Sequence, residues 1–252
     1  MSVQEFNQAI DQSLILYLRE DVFPTRGWTV NVTTELAQPY YNLETSQYEN
    51  GKFQTQYKNW VYYATGVSGV TVPAVVSPST GFEYFDYVNG VVSFSGTLPS
   101  TPPTVTYSYN VVSVIDGFPD VDNPQEFQLP LVAVDLMNMS RRPSSLGGGW
   151  FVTRTFNLDV FANSDSEADQ LVQAMQDGLA YRFPILNFEV TDYPLNENGD
   201  RKSTYTKSTP TTSGVRVEAR ITDLNVKTVR IPMATEKFKH RRLVTLETEI
   251  TE

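Results

Sequence analysis

Residues 129–188 constrain this chain most, because they read as strand, loop, strand, helix and strand in an order that no common enzyme motif explains. Leu129-Pro130-Leu131-Val132-Ala133-Val134-Asp135-Leu136 is a nearly unbroken apolar run of strand length, the pattern of a strand covered on both faces. A flexible loop carrying Arg141, Arg142, Pro143 and the triplet Gly147, Gly148 and Gly149 is expected to follow. Over 150–161 the chain alternates: Val152, Phe156, Leu158 and Val160 share one face, and Thr153, Thr155, Asn157 and Asp159 the other. Arg154 is the exception on the apolar face. Ser164 and Glu167 then make an S-x-x-E capping box, and Ala168, Leu171, Val172, Met175 and Leu179 recur at helical spacing, so one face of that helix must be buried.

What the chain lacks removes several chemistries. With 252 residues, 40% of them hydrophobic, it can bury one or two cores. It has no apolar run long enough to span a bilayer, and Glu5 and Asp11 stand where a signal peptide needs a positive region and an apolar stretch, so a soluble, uncleaved protein is expected. Without cysteine there is no thiol nucleophile and no thiolate metal site. The single histidine, His240, lies in Lys237-Phe238-Lys239-His240-Arg241-Arg242, a cationic run that offers neither an orienting carboxylate nor further ligands; it reads as a surface histidine in a basic loop. The triple glycine lacks the Lys and Ser/Thr of a phosphate cradle and opens into a strand. Pairs such as Asp120 with Asp122 and Glu247 with Glu249 read as solvated faces. No catalytic residue, cofactor or metal site is predicted, and the chain reads as a non-enzyme. A net charge of −10 argues against broad binding to nucleic-acid phosphates, while residues 237–242 form a local basic patch suited to a solvated turn or an acidic neighbour.

Val3, Phe6, Ile10, Leu14 and Tyr17 predict an amphipathic N-terminal helix, opened by a Ser2/Glu5 capping box and ending before Pro24 and Gly27. Residues 28–115 turn to Val, Tyr, Thr and Phe with no helical period and read as an inserted all-β module, a small antiparallel meander or sandwich. Asn50-Gly51 and Asn89-Gly90 are its predicted hairpin turns, and its tyrosines are read mainly as core. Beyond a polar stretch at 196–212, Val215, Val217, Ala219 and Ile221 face one way and Arg216, Glu218 and Arg220 the other; a last strand carries Val244, Leu246, Thr248 and Ile250. The expected architecture is α+β: residues 1–27 and 116–252 form a discontinuous core, a mainly antiparallel sheet with two helices packed on it, interrupted by the β module at 28–115.

A leading helix, the LPLVAVDL strand, a loop, the GWFVTRTFNLDVFA strand, the SDSEADQLVQAMQDGL helix and a further strand together resemble the tail terminator and related neck proteins of long-tailed bacteriophages. The resemblance covers residues 1–23 and 125–190, and it is one of pattern, with no ligand motif to sharpen it. It implies a tail-terminator-like α+β subunit of the virion neck or tail. Assembled in the host cytoplasm, such a subunit packs head to tail with copies of itself into a ring, six-fold in that family, that caps the tail tube and joins it to the head connector. Its implied partners are itself, the tail tube protein and the head connector, adaptor or other neck proteins; DNA is only cargo passing through the lumen, and no membrane is involved. The β module and the long C-terminal tail depart from the simple family pattern. A tail tube or baseplate protein, or a glycan-binding β module with glycosidase activity, are the competing readings. Under the ring reading the expected contact residues are Arg141, Arg142, Gly147, Gly148 and Gly149 of the loop, with Lys237, Lys239, Arg241 and Arg242 of the basic segment.

Overall fold

The computed structural model describes residues 3–42, 45–58, 60, 64–65, 71–78, 80–86, 89–96, 98–118, 128–143, 150–186, 215–229 and 240–251. Ser2, the glycine triplet, Lys237, Lys239 and the polar stretch at 196–212 lie outside these residues. The chain forms two units: one is Gly27–Val111, and the other takes the described residues of Met1–Arg26, Val112–Tyr193 and Ser208–Glu252.

Helix α1 spans Val3–Tyr17 and runs on through a π-helical turn, Leu18–Val22, into a single α-turn, α2 (Phe23–Thr25). The predicted stop before Pro24 is therefore corrected. The Phe23 N–H reaches back to the Leu18 carbonyl in the wide turn, and Pro24 falls in the first turn of α2, where no N–H is required. Ile10, Leu14, Leu18 and Phe23 are fully buried.

The described residues of Gly27–Val111 form strands and turns with no helix. The strands are β1 (Thr29–Leu36), β2 (Gln38–Asn42), β3 (Gln47–Gln54), β4 (Ala64–Thr65), β5 (Thr71–Val72), β6 (Ala74–Ser77), β7 (Phe82–Asp86), β8 (Val91–Phe94) and β9 (Thr104–Asn110). They form an antiparallel sheet β1-β9-β6, another of order β2-β3-β8-β7, and the short pair β4-β5. Side chains from both larger sheets meet in one core of Trp60, Val92, Phe94, Val105 and Tyr107, with Phe53, Phe85 and Tyr109 against it. The aromatic residues thus mostly fill a core: Trp60 stacks on Tyr107 at 4.8 Å and Tyr57 on Tyr109 at 4.2 Å, while Tyr48 and Tyr41 stay exposed. Asn89-Gly90 does make the turn between β7 and β8, with the Asn89 N–H donating 3.0 Å to Asp86 Oδ1 and Gly90 at φ +65°. Asn50-Gly51 does not make a turn; it lies inside β3. Gly51 has φ +80°, and a Cβ there would stand 2.7 Å from the carbonyl oxygen of Phe94 on the paired strand β8, so this glycine serves a close backbone approach within the sheet.

The other unit adds β10 (Ser113–Asp116), β11 (Leu131–Pro143), β12 (Trp150–Ala162), α3 (Asp165–Gly178), β13 (Arg182–Leu186), β14 (Val215–Val229) and β15 (His240–Thr251). These six strands make one sheet of order β10-β11-β12-β15-β14-β13, in which β10 is parallel to β11 and every other pair is antiparallel. The boundary between units falls at Val112, so β10, read from sequence as part of the insert, belongs to this sheet. The fold is predominantly β, with α1 and α3 as the only helices longer than a turn or two among the described residues.

Val152, Phe156, Leu158 and Val160 of β12 and Val244, Leu246 and Ile250 of β15 are buried on the face that meets α3, which contributes Ala168, Leu171, Val172 and Met175. Ser164 Oγ accepts the Glu167 N–H at 3.2 Å, and Glu167 returns a carboxylate oxygen to the Asn163 N–H at 2.6 Å, so the capping box closes one residue further back than its standard form. Arg154, the cation on the apolar face, is 2% exposed and pairs with Asp11 of α1. Burial raises the Asp11 carboxyl above its ordinary value, Arg154 only partly offsetting it. At the end of α3, a Cβ on Gly178 would come within 2.6 Å of Val22 Cγ1 and 2.8 Å of Cγ2, so only glycine lets the two helical segments pack this closely.

Candidate assembly interface

Two of the predicted contact residues lie in a strand instead of a loop. Arg141 and Arg142 belong to the last turn-ward stretch of β11, opposite Val152 and Phe151. The polar run after Leu136 hides this strand from a reading based on apolar alternation. Its backbone is nevertheless paired with β12 through Pro143, and the guanidinium carbons of Arg141 and Arg142 lie 4.8 Å and 5.2 Å from the ring centres of Trp150 and Phe151. Arg142 also bridges 2.7 Å to Glu249.

The basic segment is corrected likewise. His240, Arg241 and Arg242 open β15, and their charges are committed inside the chain. Arg241 pairs with the buried Asp159 at 2.6 Å and lies against the rings of Phe118 and Phe161. Arg242 holds Asp169 at 2.8 Å and Asp165 at 3.0 Å, and His240 Nδ1 meets Asp165 at 3.2 Å. Hydrogen bonds from Arg242 and then His240 hold the Asp165 carboxyl below its usual value, whereas burial holds Asp159 above its own, against the pull of Arg241. These contacts fasten the start of β15 to β12 and to the first two turns of α3, and Asp165 in the first turn also suits the helix dipole.

The sheet leaves two edges open among its described residues. β10 pairs only with Leu131–Val134 of β11, so no described strand lies outside 135–143. β13 pairs only with Val215–Arg220 of β14, so none lies outside 222–229. Unpaired edges present rows of backbone N–H and C=O groups that add a strand readily. The β11 edge also exposes apolar surface, with Leu136 at 40%, Met137 at 56% and neighbouring Trp150 at 41%. Both edge strands bulge at one level of the sheet, between Leu136 and Asn138 and between Ile221 and Asp223, on either side of the Thr155–Glu247 pair. The 222–229 edge escaped the sequence reading, although Leu224 and Val226 continue the apolar alternation of Ala219 and Ile221 with its phase moved by one residue.

No known family model and no curated protein matches this chain. No helix among the described residues is long and apolar enough to cross a membrane.

Proposed function

We propose that this protein is a non-enzymatic structural subunit of a tailed-bacteriophage virion, a tail terminator or neck protein whose ring caps the tail tube and joins it to the head connector. The sheet with α1 and α3 on one face is, on this reading, the tail-terminator-like α+β core. The observation that carries the reading is the pair of unlike edges left open, among the described residues, on opposite flanks of one sheet. A subunit that presents two different adhesive surfaces forms heterologous contacts, and these close into a ring when the rotation between neighbours allows. The order of α1, β11, β12, α3 and β13 along the chain also follows the pattern that carries the family resemblance. Arg141 and Arg142 remain contact residues here, while Arg241 and Arg242 act inside the subunit. Electron microscopy of the purified protein, alone and mixed with isolated tail tubes, tests the proposal. Rings that cap tube ends are expected; a protein that stays monomeric beside tubes and connectors refutes it.

A second reading, a glycan-binding β module, draws on a cleft of about 390 Å³ lined by Glu35, Gln38, Gln54 and Gln56. Tyr107 Oη donates 2.9 Å to Glu35 Oε1, which orients that carboxylate. A glycan array probed with wild type and with Gln56→Ala decides it, since only a sugar site there gives binding that the substitution removes.

A further inference from the structure

We infer that subunits join by strand addition, with the 135–143 edge of β11 in one copy pairing antiparallel with the 222–229 edge of β14 in the next. The inference rests on the ring reading and names the surfaces that make the ring. Three features of the sheet carry it.

The first is polarity. β11 runs antiparallel to β12, β12 to β15 and β15 to β14, so β11 and β14 point in opposite directions within one sheet. Two copies placed side by side with their helix-covered faces on the same side therefore meet as antiparallel strands, and the sheet continues across the junction with its covered face unbroken.

The second is shape. β10 fills the lower part of the β11 flank, and β13 fills the opposite end of the β14 flank. The two lengths that no described strand covers are thus diagonal: projected onto β12, one spans Trp150 to Asn157 and the other Thr155 to Phe161. Seating one against the other offsets neighbouring copies by roughly 15 Å along the strands, at ~3.3 Å per residue, over about 19 Å of sheet width for the four strands from β11 to β14. The resulting inclination is roughly 40°, within the tilt at which sheets close on themselves.

The third is side-chain chemistry. Antiparallel pairing that sets Arg142 opposite the neighbour's Asp223 leaves Asp135 diagonal to its Lys227, two positions along the strand, all four on the face away from the helices. The exposed Leu136 and Met137 become covered. The bulges, Pro143 and Lys227 are features that oppose indiscriminate edge pairing, so a mate has to accommodate them. Pairing β11 with β11, or β14 with β14, would satisfy these charges too, but either leaves the other edge open; the unlike pairing satisfies both through one contact.

The test uses the full chain, which has no cysteine of its own. Arg142→Cys and Asp223→Cys proteins are mixed under mild oxidation, and a cross-link between the two variants is expected, with little in either alone. In parallel, Arg142→Asp and Asp223→Arg each weaken ring assembly at low salt by up to about five-fold, the scale of an exposed ion pair, and the double variant regains it. Arg142→Asp also breaks the ion pair with Glu249 of the same subunit, so circular dichroism and urea unfolding confirm that each variant is folded, and Asp223→Arg serves as the second arm. An Arg142→Cys protein that cross-links as readily alone as in the mixture, or a double variant no stronger than the weaker single, overturns the inference. Rings seen by microscopy without the mixed cross-link overturn it while leaving the ring reading intact. A protein that is monomeric beside tubes and connectors and forms no cross-link removes both.

Discussion

Replacing Gly178 with alanine tests whether the π-helical turn after α1 really packs on the end of α3. In an isolated helix the change stabilises by up to ~1 kcal/mol, because alanine loses less backbone entropy. Here the new Cβ would stand 2.6 and 2.8 Å from the two Val22 methyls and 3.1 Å from the Val22 Cβ, where carbon atoms rest at about 3.5–4.0 Å. Val22 cannot swing aside cheaply, because it is 2% exposed and branched at Cβ. Relief must come from separating the two segments by nearly 1 Å, which also strains the 3.3 Å hydrogen bond from Tyr17 Oη to the Gly178 carbonyl. Overpacking of this kind costs about 1–3 kcal/mol, so after the propensity gain Gly178→Ala should destabilise by roughly 1–2 kcal/mol. Urea unfolding followed by tryptophan fluorescence and far-ultraviolet circular dichroism measures it. Val22→Ala alone should cost about 1.5–3 kcal/mol through lost burial and a cavity. In the double variant the two costs should nevertheless fall short of their sum, since truncating Val22 makes the room that the new methyl needs. A neutral or stabilising Gly178→Ala, or strict additivity, would refute this packing.

Leu171→Ala should cost about 2–5 kcal/mol, because Leu171 is fully buried between α3 and the sheet; a loss below about 0.5 kcal/mol in the same unfolding assay would mean that this face of α3 is not a core face. The pH dependence of stability has a defined sign. Burial raises the carboxyls of Asp11, Asp116 and Asp159 above 3.8, so the folded state holds these protons more tightly than the unfolded chain. Their contribution to stability is therefore greatest in mild acid and falls as pH rises from the ordinary carboxylate value through the higher folded ones. Asp116→Asn should remove its share of that decline, read as the difference in urea midpoint between wild type and variant from mild acid to neutrality, and a difference that does not change with pH would contradict this.

Local pattern was enough to place α3, its Ser164/Glu167 cap and the buried faces of β12 and β15, because a capping box and apolar positions at helical or two-residue spacing depend on neighbours in sequence. It also marked the β-rich stretch off from its flank near Gly27, but set the far boundary after Ile115, beyond where the contacts divide the chain at Val112. What it could not supply was anything set by a distant partner. Arg154 broke the alternation of its strand, and only the fold brings Asp11 of α1 beside it. Arg241 and Arg242 read as a basic patch until β15 laid them against Asp159, Asp165 and Asp169, residues more than seventy positions away. Gly51 carried a turn dipeptide, yet the nearby Phe94 backbone gives it a different task. The open edges belong to the same class. A strand's hydrogen-bonding capacity is written in every residue, but which strands remain without a neighbour among the described residues follows from the lengths of β10 and β13 against the longer β11 and β14, and that comparison exists only once the sheet has formed.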